Sequence, residues 1–250
     1  MIIAQISDTH IALDTPDADR RIQDFARTIA DINTLDPLPD VIVHTGDIVH
    51  NGRLEEYAQA AAILSHARAP VYVLAGNKDE RANLRATFAA SGYLSDRSKF
   101  IDYSIEDFPV RLIALDTLDT HSNKGDFCAE RISRLIAMTD AEVTKPIAVF
   151  THHPPFEVTV GPDSVNFATS DAMCALARAI RHSGRVIGVF SGHVHRATGG
   201  HVGTIPAMVA PSIATGLRRG EYPEAVKTRP VYYLHRYDPA WGFSTESRVV

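Results

Sequence analysis

Short apolar, β-branched runs alternate along the chain with segments whose apolar residues recur at helical spacing. "IIAQIS" opens as a strand, and Ile22, Phe25, Ile29 and Ile32 then mark one stripe of an amphipathic helix. The order repeats. Strand "VIVHTGD" precedes a helix through "LEEYAQAAAILSHA", and strand "VYVLAGN" precedes a helix from about Asp79 to Ser91. Strand "RLIALDT" leads to a helix around "ERISRLIAM", then to strand "IAVFTHH". Ser170 and Asp171 read as the N-cap of a helix through "AMCALARAI", and "VIGVFSGH" closes the alternation. Such an order predicts an α/β protein with helices on both faces of a sheet. The last fifty residues differ: "AMVAPS", "VYYLHRY" and "GFSTESRVV", with Gly and Pro between, predict a closing run of largely antiparallel strands. One domain over 1–250, with 200–250 as a strand-rich closing segment, suits the 250-residue length.

Charge narrows the function classes. Lys and Arg total 25 against 30 for Asp and Glu, a net charge of −5, so no nucleic-acid partner is expected. The N-terminus reads as a first strand rather than a signal peptide, and no apolar run approaches the ~18 residues of a membrane span. A cytoplasmic location without membrane attachment is expected. Cys128 and Cys174 lie in helix-like segments without CxxC spacing and read as buried, reduced thiols.

The candidate chemistry sits where the buried runs stop. "IIAQIS" ends in Asp8 and His10, "VIVHTG" in Asp47, "VYVLAG" in Asn77, "IAVFT" in His152, and "VIGVFSG" in His193 and His195. Ligands of α/β sheets bind at the carboxyl ends of strands. Carboxylate, imidazole and amide oxygen suit a divalent Zn, Mn, Fe or Co ion, and the lack of cysteine argues against a structural zinc cage. Seven donors exceed what one catalytic ion needs, but suffice for two ions if one carboxylate bridges them. Taken singly, Gly-Asp after a strand or His-His-Pro-Pro in a loop is ordinary turn chemistry. Taken together, five strand ends of this kind point to one site.

At these positions the chain resembles the calcineurin-like metallophosphoesterases. The matching pieces are "SDTH", "GDIV", "GNKD", "THHPP" and "GHVH", in family order. "GDIVHNGRLEEY", "LDT…KGDF" and "GHVHRATGG…APS" further resemble the cyclic-nucleotide and glycerophosphodiester phosphodiesterase branch. The resemblance implies a four-layer αββα sandwich of two mixed sheets flanked by helices. It implies that Asp8, His10, Asp47 and His195 hold one metal and Asp47, Asn77, His152 and His193 the other, with Asp47 as the bridge. A hydroxide between the two ions would be the nucleophile, since bound metal lowers the pKa of water toward ~7.

The family usually carries His where this chain has Lys78. The family His faces the substrate phosphate. An ammonium there can pin a phosphoryl oxygen as a point charge, but donates a proton less readily than imidazolium. The competing expectation is that Lys78 turns to solvent or pairs with Asp79 or Glu80. Lys78, Asn77 and His195 are the candidate catalytic residues. Asn77, Lys78, His50 and Asn51 are the candidate substrate contacts, although His50 and Asn51 equally suit the N-cap region of the following helix. His153 is expected to point to the other side of an extended segment, either behind the ligands, supporting them, or at the surface, and His44 is expected as a satisfied buried side chain. His121 is expected in an exposed loop. Phe156 and Phe167 could wall the site, but packing within their long loop is the favoured reading.

The residues themselves predict only chemistry on a phosphoryl ester; the resemblance implies a binuclear-metal-dependent hydrolase of a small phosphodiester, either a cyclic nucleotide or a glycerophosphodiester. The alternatives are a phosphomonoesterase, which the charge of Lys78 would suit, and a non-catalytic metal-binding scaffold. Tyr232, Tyr233 and Trp241 either close the sandwich or pair with a second chain as a homodimer.

Overall fold

The structure, a computed structural model, describes residues 1–94, 98–160, 163–164 and 166–250. The first half runs β1 (Ile2–Ile6), α1 (Ala18–Ile32), β2 (Val41–His44), α2 (Leu54–Leu64), β3 (Val71–Val73) and α3 (Arg81–Phe88). The second begins with β4 (Tyr103–Ile105), β5 (Arg111–Leu115), α4 (Ala129–Asp140), β6 (Ile147–Thr151), the short pair β7 (Thr159–Val160) and β8 (Asp163–Ser164), and α5 (Ser170–His182). It ends with β9 (Val186–Ser191), β10 (Thr198–Val202), β11 (Ile205–Val209), α6 (Glu224–Lys227), β12 (Val231–Asp238) and β13 (Gly242–Val249).

Two mixed sheets result, in the orders β13-β12-β1-β2-β3 and β10-β11-β9-β6-β5-β4. β1, β2 and β3 run parallel, as do β5, β6, β9 and β11. The central strands of the second sheet are apolar on both faces and split by the two-residue period of a strand. Leu112, Ala114, Ala148, Phe150 and Phe190 face the core between the sheets. Ile113, Leu115, Ile147, Val149 and Val189 face outward, onto Leu135 of α4 and Leu176 and Ile180 of α5. On the other side Phe25, Ile29 and Ile32 of α1 and Tyr57 and Ala60 of α2 cover the first sheet. The expected αββα sandwich is therefore observed.

Local chemistry sets several boundaries. α3 starts at Arg81 rather than near Asp79, because the Glu80 side chain caps it by accepting from Asn83 N at 2.7 Å. A 3-10 turn, Ala89–Ser91, completes the expected span. α5 is capped by Thr169, whose hydroxyl accepts from Ala172 N, so Ser170 and Asp171 lie inside the first turn instead of capping it. The closing segment divides: β10 and β11 extend the second sheet, with β11 parallel to β9, while β12 and β13 extend the first. Tyr232 and Tyr233 are buried in their own chain, whereas Trp241 is 90% exposed. Cys128 and Cys174 are free, but both are exposed rather than buried, because they fall on solvent-facing positions at the start of α4 and within α5. Among the described residues, no helix is long and apolar enough to cross a membrane.

Candidate metal centre

The register of the parallel strands places the candidate ligands side by side. β1 pairs with β2 up to Ile6↔His44, and the pairing continues past both strands through Asp8 N→Gly46 O (3.0 Å) and His10 N→Asp47 O (2.9 Å). β6 and β9 likewise end level, with Gly192 N donating to His152 O at 3.0 Å. Asp8, His10, Asp47, His193 and His195 all have positive φ, at 55°, 45°, 51°, 71° and 60°. They are the non-glycine residues in that region among the described residues. Each such backbone costs of order 1–3 kcal/mol, and this kind of strain gathers at functional sites. Three of the candidates, Asp47, Asn77 and His193, follow a glycine that close packing requires. A Cβ at Gly76 would lie 2.3 Å from Asp47 N, and one at Gly192 would lie 2.0 Å from Ser7 Oγ. The abrupt stop of "VYVLAG" at Gly76 thus lets the Asn77 turn nest against the Asp47 turn.

All seven predicted ligands converge. Ligand atoms of Asp8, His10, Asp47 and His195 lie within 4.8 Å of one another. His195 Nε2 is 3.3 Å from Asp8 Oδ1, and His10 Nε2 is 3.5 Å from Asp47 Oδ2. On the other side His152 Nε2 lies 3.5 Å from Asp47 Oδ1 and 3.1 Å from Asn77 Oδ1, which is also 2.9 Å from His193 Nδ1. Asp47 therefore turns one oxygen to each group. The His193 amide donates to the Asp8 carboxylate at 3.1 Å and the Lys78 amide to Asp47 Oδ1 at 2.7 Å, so backbone holds both aspartates.

The donor set fits divalent cations. His152 Nδ1 donates to Thr45 O at 2.8 Å and His195 Nδ1 to Leu217 O at 3.1 Å. Carbonyls only accept, so each ring turns the lone pair of its Nε2 into the cluster when neutral. Neutral His152 then turns that lone pair to the acceptor oxygens of Asn77 and Asp47, an arrangement that needs a proton or a cation between them. A cation satisfies all three. His10 Nδ1 is buried and has no protein partner among the described residues.

Charges in the pocket act on one another at close range. Burial pushes Asp8 upward, but His195 and His152 outweigh it and hold the carboxyl at about 2. Burial of Asp47 is likewise overcome, by His152 and His10, and its carboxyl lies well below the usual range. Burial would depress His152, yet Asp47 and Asp8 raise it to about 9; Asp8 raises His195 in the same way. His10 goes the other way, to about 3, because burial wins.

Of its two expected places His153 takes the one behind the ligands: it is fully buried, with its ring centre 4.3 Å from that of His193. The tight turn after β6 swings it inward. Its Nε2 donates to Asn123 O at 3.2 Å and its Nδ1 lies 2.8 Å from the Thr117 hydroxyl, while one of its nitrogens also lies within 4.8 Å of ligand atoms of His152 and His193. His44 is buried as expected, with Nε2 on Thr9 Oγ1 at 2.9 Å, but its Nδ1 lacks a partner among the described residues. His50 sits edge-on to His10, with ring centres 5.7 Å apart. Asn51 stands at the start of α2, where its side chain donates to Glu56 Oε1 at 2.6 Å and its amide to Glu56 Oε2 at 2.9 Å. His121 is exposed. Phe156 packs on Val158, Val194 and Val209, and Phe167 belongs to the outer core. Of the loop 154–171 that holds them, positions 161, 162 and 165 lie outside the described residues.

Lys78 pairs with neither Asp79 nor Glu80. Its ammonium donates to Asn123 Oδ1 at 3.1 Å, over a cleft of about 360 Å³ that His10, Asp47, Asn77, His193 and His195 also line. Asp79 instead turns into the core. It accepts from Gly76 N (2.8 Å), Ile48 N (3.2 Å), Val49 N (3.3 Å) and Tyr57 Oη (2.9 Å), which lashes the two turns together. Sequence reasoning missed this brace and also missed Asn123, Lys124 and Arg219 at the cleft. The "KGDF" piece pointed toward Lys124, whereas nothing in the sequence singled out Arg219.

A four-layer sandwich with a carboxylate–imidazole cluster at its strand ends is the frame of a metallophosphoesterase. Residues 1–197 match the calcineurin-like phosphoesterase family, and the chain belongs to it. The chain is 30% identical over its whole length to 93% of a probable glycerophosphodiester phosphodiesterase of Arcobacter nitrofigilis. It is 29% identical, over 76% of its length and 69% of the relative, to a probable cyclic nucleotide phosphodiesterase of Rhodopseudomonas palustris. In fold it is similar to purple acid phosphatase PPD1 from yellow lupin seeds, with a TM-score of 0.62 at 12% identity over 100% of this chain and 51% of that one.

Proposed function

We propose that this chain is a binuclear-metal-dependent hydrolase of a small phosphodiester. The carrying observation is Asp47, whose Oδ2 lies 3.5 Å from His10 and whose Oδ1 lies 3.5 Å from His152. Asp8, His10, Asp47 and His195 would hold one divalent ion, and Asp47, Asn77, His152 and His193 the other. Two ions so held would lower the pKa of water toward ~7 and offset charge on the phosphoryl oxygens. Lys78, Lys124 and Arg219 line the same cleft and would bind and orient an anionic ester there. The cleft volume of about 360 Å³ favours a small substrate. The names of the two relatives favour a glycerophosphodiester or a cyclic nucleotide.

A phosphomonoesterase is the second reading, because three cations at the cleft would suit a more highly charged phosphate. Metal-stripped protein, with and without added Mn²⁺, would be offered bis(p-nitrophenyl) phosphate and p-nitrophenyl phosphate. Metal-dependent preference for the diester is expected, and preference for the monoester would favour the second reading. Failure to turn over either with Mn²⁺ bound would leave the scaffold alternative.

A further inference from the structure

We propose that Asn123 is a positioning residue of the metal centre, which sets the orientation of the Asn77 amide and the place of the Lys78 ammonium. One oxygen does both. Asn123 Oδ1 accepts from Lys78 Nζ at 3.1 Å and, at 3.4 Å, from Asn77 Nδ2. With its nitrogen drawn to Asn123, the Asn77 amide turns its oxygen toward His152 and His193, at 3.1 and 2.9 Å. An amide has no intrinsic preference between its two ends, so its hydrogen-bond network decides which end faces the metal cluster. The flipped amide would present N–H groups to a cation and lose a ligand. The inference rests on the metal-centre reading of Asn77, but not on any particular substrate.

Asn123 is exposed, yet it is held from behind. Its backbone carbonyl accepts from buried His153 Nε2 at 3.2 Å. Next to it, Gly125 N donates to Asn166 O at 2.8 Å, Ala168 N to Gly125 O at 3.0 Å, and Asp126 N to Thr117 O at 3.0 Å. A Cβ at Gly125 would lie 2.7 Å from His153 Cγ, so glycine is what lets the loop approach that ring. His153 thereby supports the loop: its two ring nitrogens join Thr117 to Asn123. Partners of this kind, one step removed from the ligands, typically change metal affinity 10–100-fold when removed.

The test is calorimetric titration of Mn²⁺ into metal-stripped wild type, Asn123→Ala and Asn123→Asp, with bis(p-nitrophenyl) phosphate turnover on the same samples. Asn123→Ala should weaken the lower-affinity Mn²⁺ by about 10–100-fold. It should also raise KM more than it lowers kcat at saturating Mn²⁺, because Lys78 loses its anchor. Asn123→Asp keeps an acceptor oxygen and should restore Mn²⁺ affinity to the wild-type value or above. Wild-type Mn²⁺ affinity in Asn123→Ala would overturn the proposal. So would an equal loss in both variants, or a lowered metal-free unfolding midpoint that accounts for the loss, since either would assign Asn123 to loop structure. If wild type turns over no ester, the hydrolase reading fails separately, and the Mn²⁺ comparison still decides this one.

Discussion

His10 and His195 face each other across the pocket, Nε2 to Nε2 at 3.0 Å, although 185 positions separate them. Two imidazole nitrogens at that distance share one proton or one cation. The buried carboxylates of Asp8 and Asp47 beside them favour a cation of higher charge than a proton.

Asp47 serves both halves of the cluster, so its loss should be felt in both. Asp47→Asn keeps the volume but removes the charge that two ions would share. Metal content by mass spectrometry should fall from two ions to fewer than one per chain. Activity should drop by more than the ~10–100-fold typical of an outer partner. Full metal stoichiometry in this variant would break the bridging assignment.

Lys78 lies over the cleft with its ammonium anchored. Lys78→Met keeps much of the apolar stem without the charge. It should lower kcat/KM on a diester by about 10²-fold, the scale of one preorganised donor, with Mn²⁺ stoichiometry unchanged. Near-normal turnover would remove Lys78 from the reaction.

The Asp79 brace predicts a stability effect at a distance from the ligands. The Tyr57 hydroxyl donates to Asp79 Oδ1 at 2.9 Å and accepts from Glu80 N at 2.9 Å. Tyr57→Phe leaves Glu80 N without its partner and takes one of four donors from Asp79, and a group left unpaired in this way costs about 1–3 kcal/mol. Urea unfolding of metal-free protein should show the loss, and an unchanged midpoint would mean that water replaces the hydroxyl.

His235 supplies a pH test away from the site. It is fully buried, with Nε2 on Gln5 Oε1 at 2.9 Å and Nδ1 beside Thr245 Oγ1 at 2.8 Å. Burial lowers it from 6.5 to about 3, so the folded chain keeps it neutral where the unfolded chain takes up a proton. Its contribution is complete above pH ~6.5 and is lost as pH falls toward ~3, at about 1.4 kcal/mol per pH unit. His235→Gln should therefore show a fall in unfolding free energy between about pH 6 and 4 that is shallower by roughly one proton. Equal slopes in the two proteins would show that the ring is already charged in the fold.

Much of this protein was legible in its residues. The apolar runs that became β1, β2, β3, β6 and β9 each end in a candidate ligand. Strand period, helical period and the Gly that precedes a turn are all local properties, written within a few residues. The family resemblance then supplied the αββα arrangement, which periodicity does not distinguish from a single sheet covered on both faces. Register belongs to the tertiary structure: which Asp47 oxygen meets His10 and which meets His152 depends on how strands from distant segments align. The same holds for His153 turning inward, for Asp79 becoming a brace, and for Asn123 reaching Lys78 across 45 positions. A side chain's type limits what it can bond. Its partner is chosen by packing between segments that local sequence does not bring together.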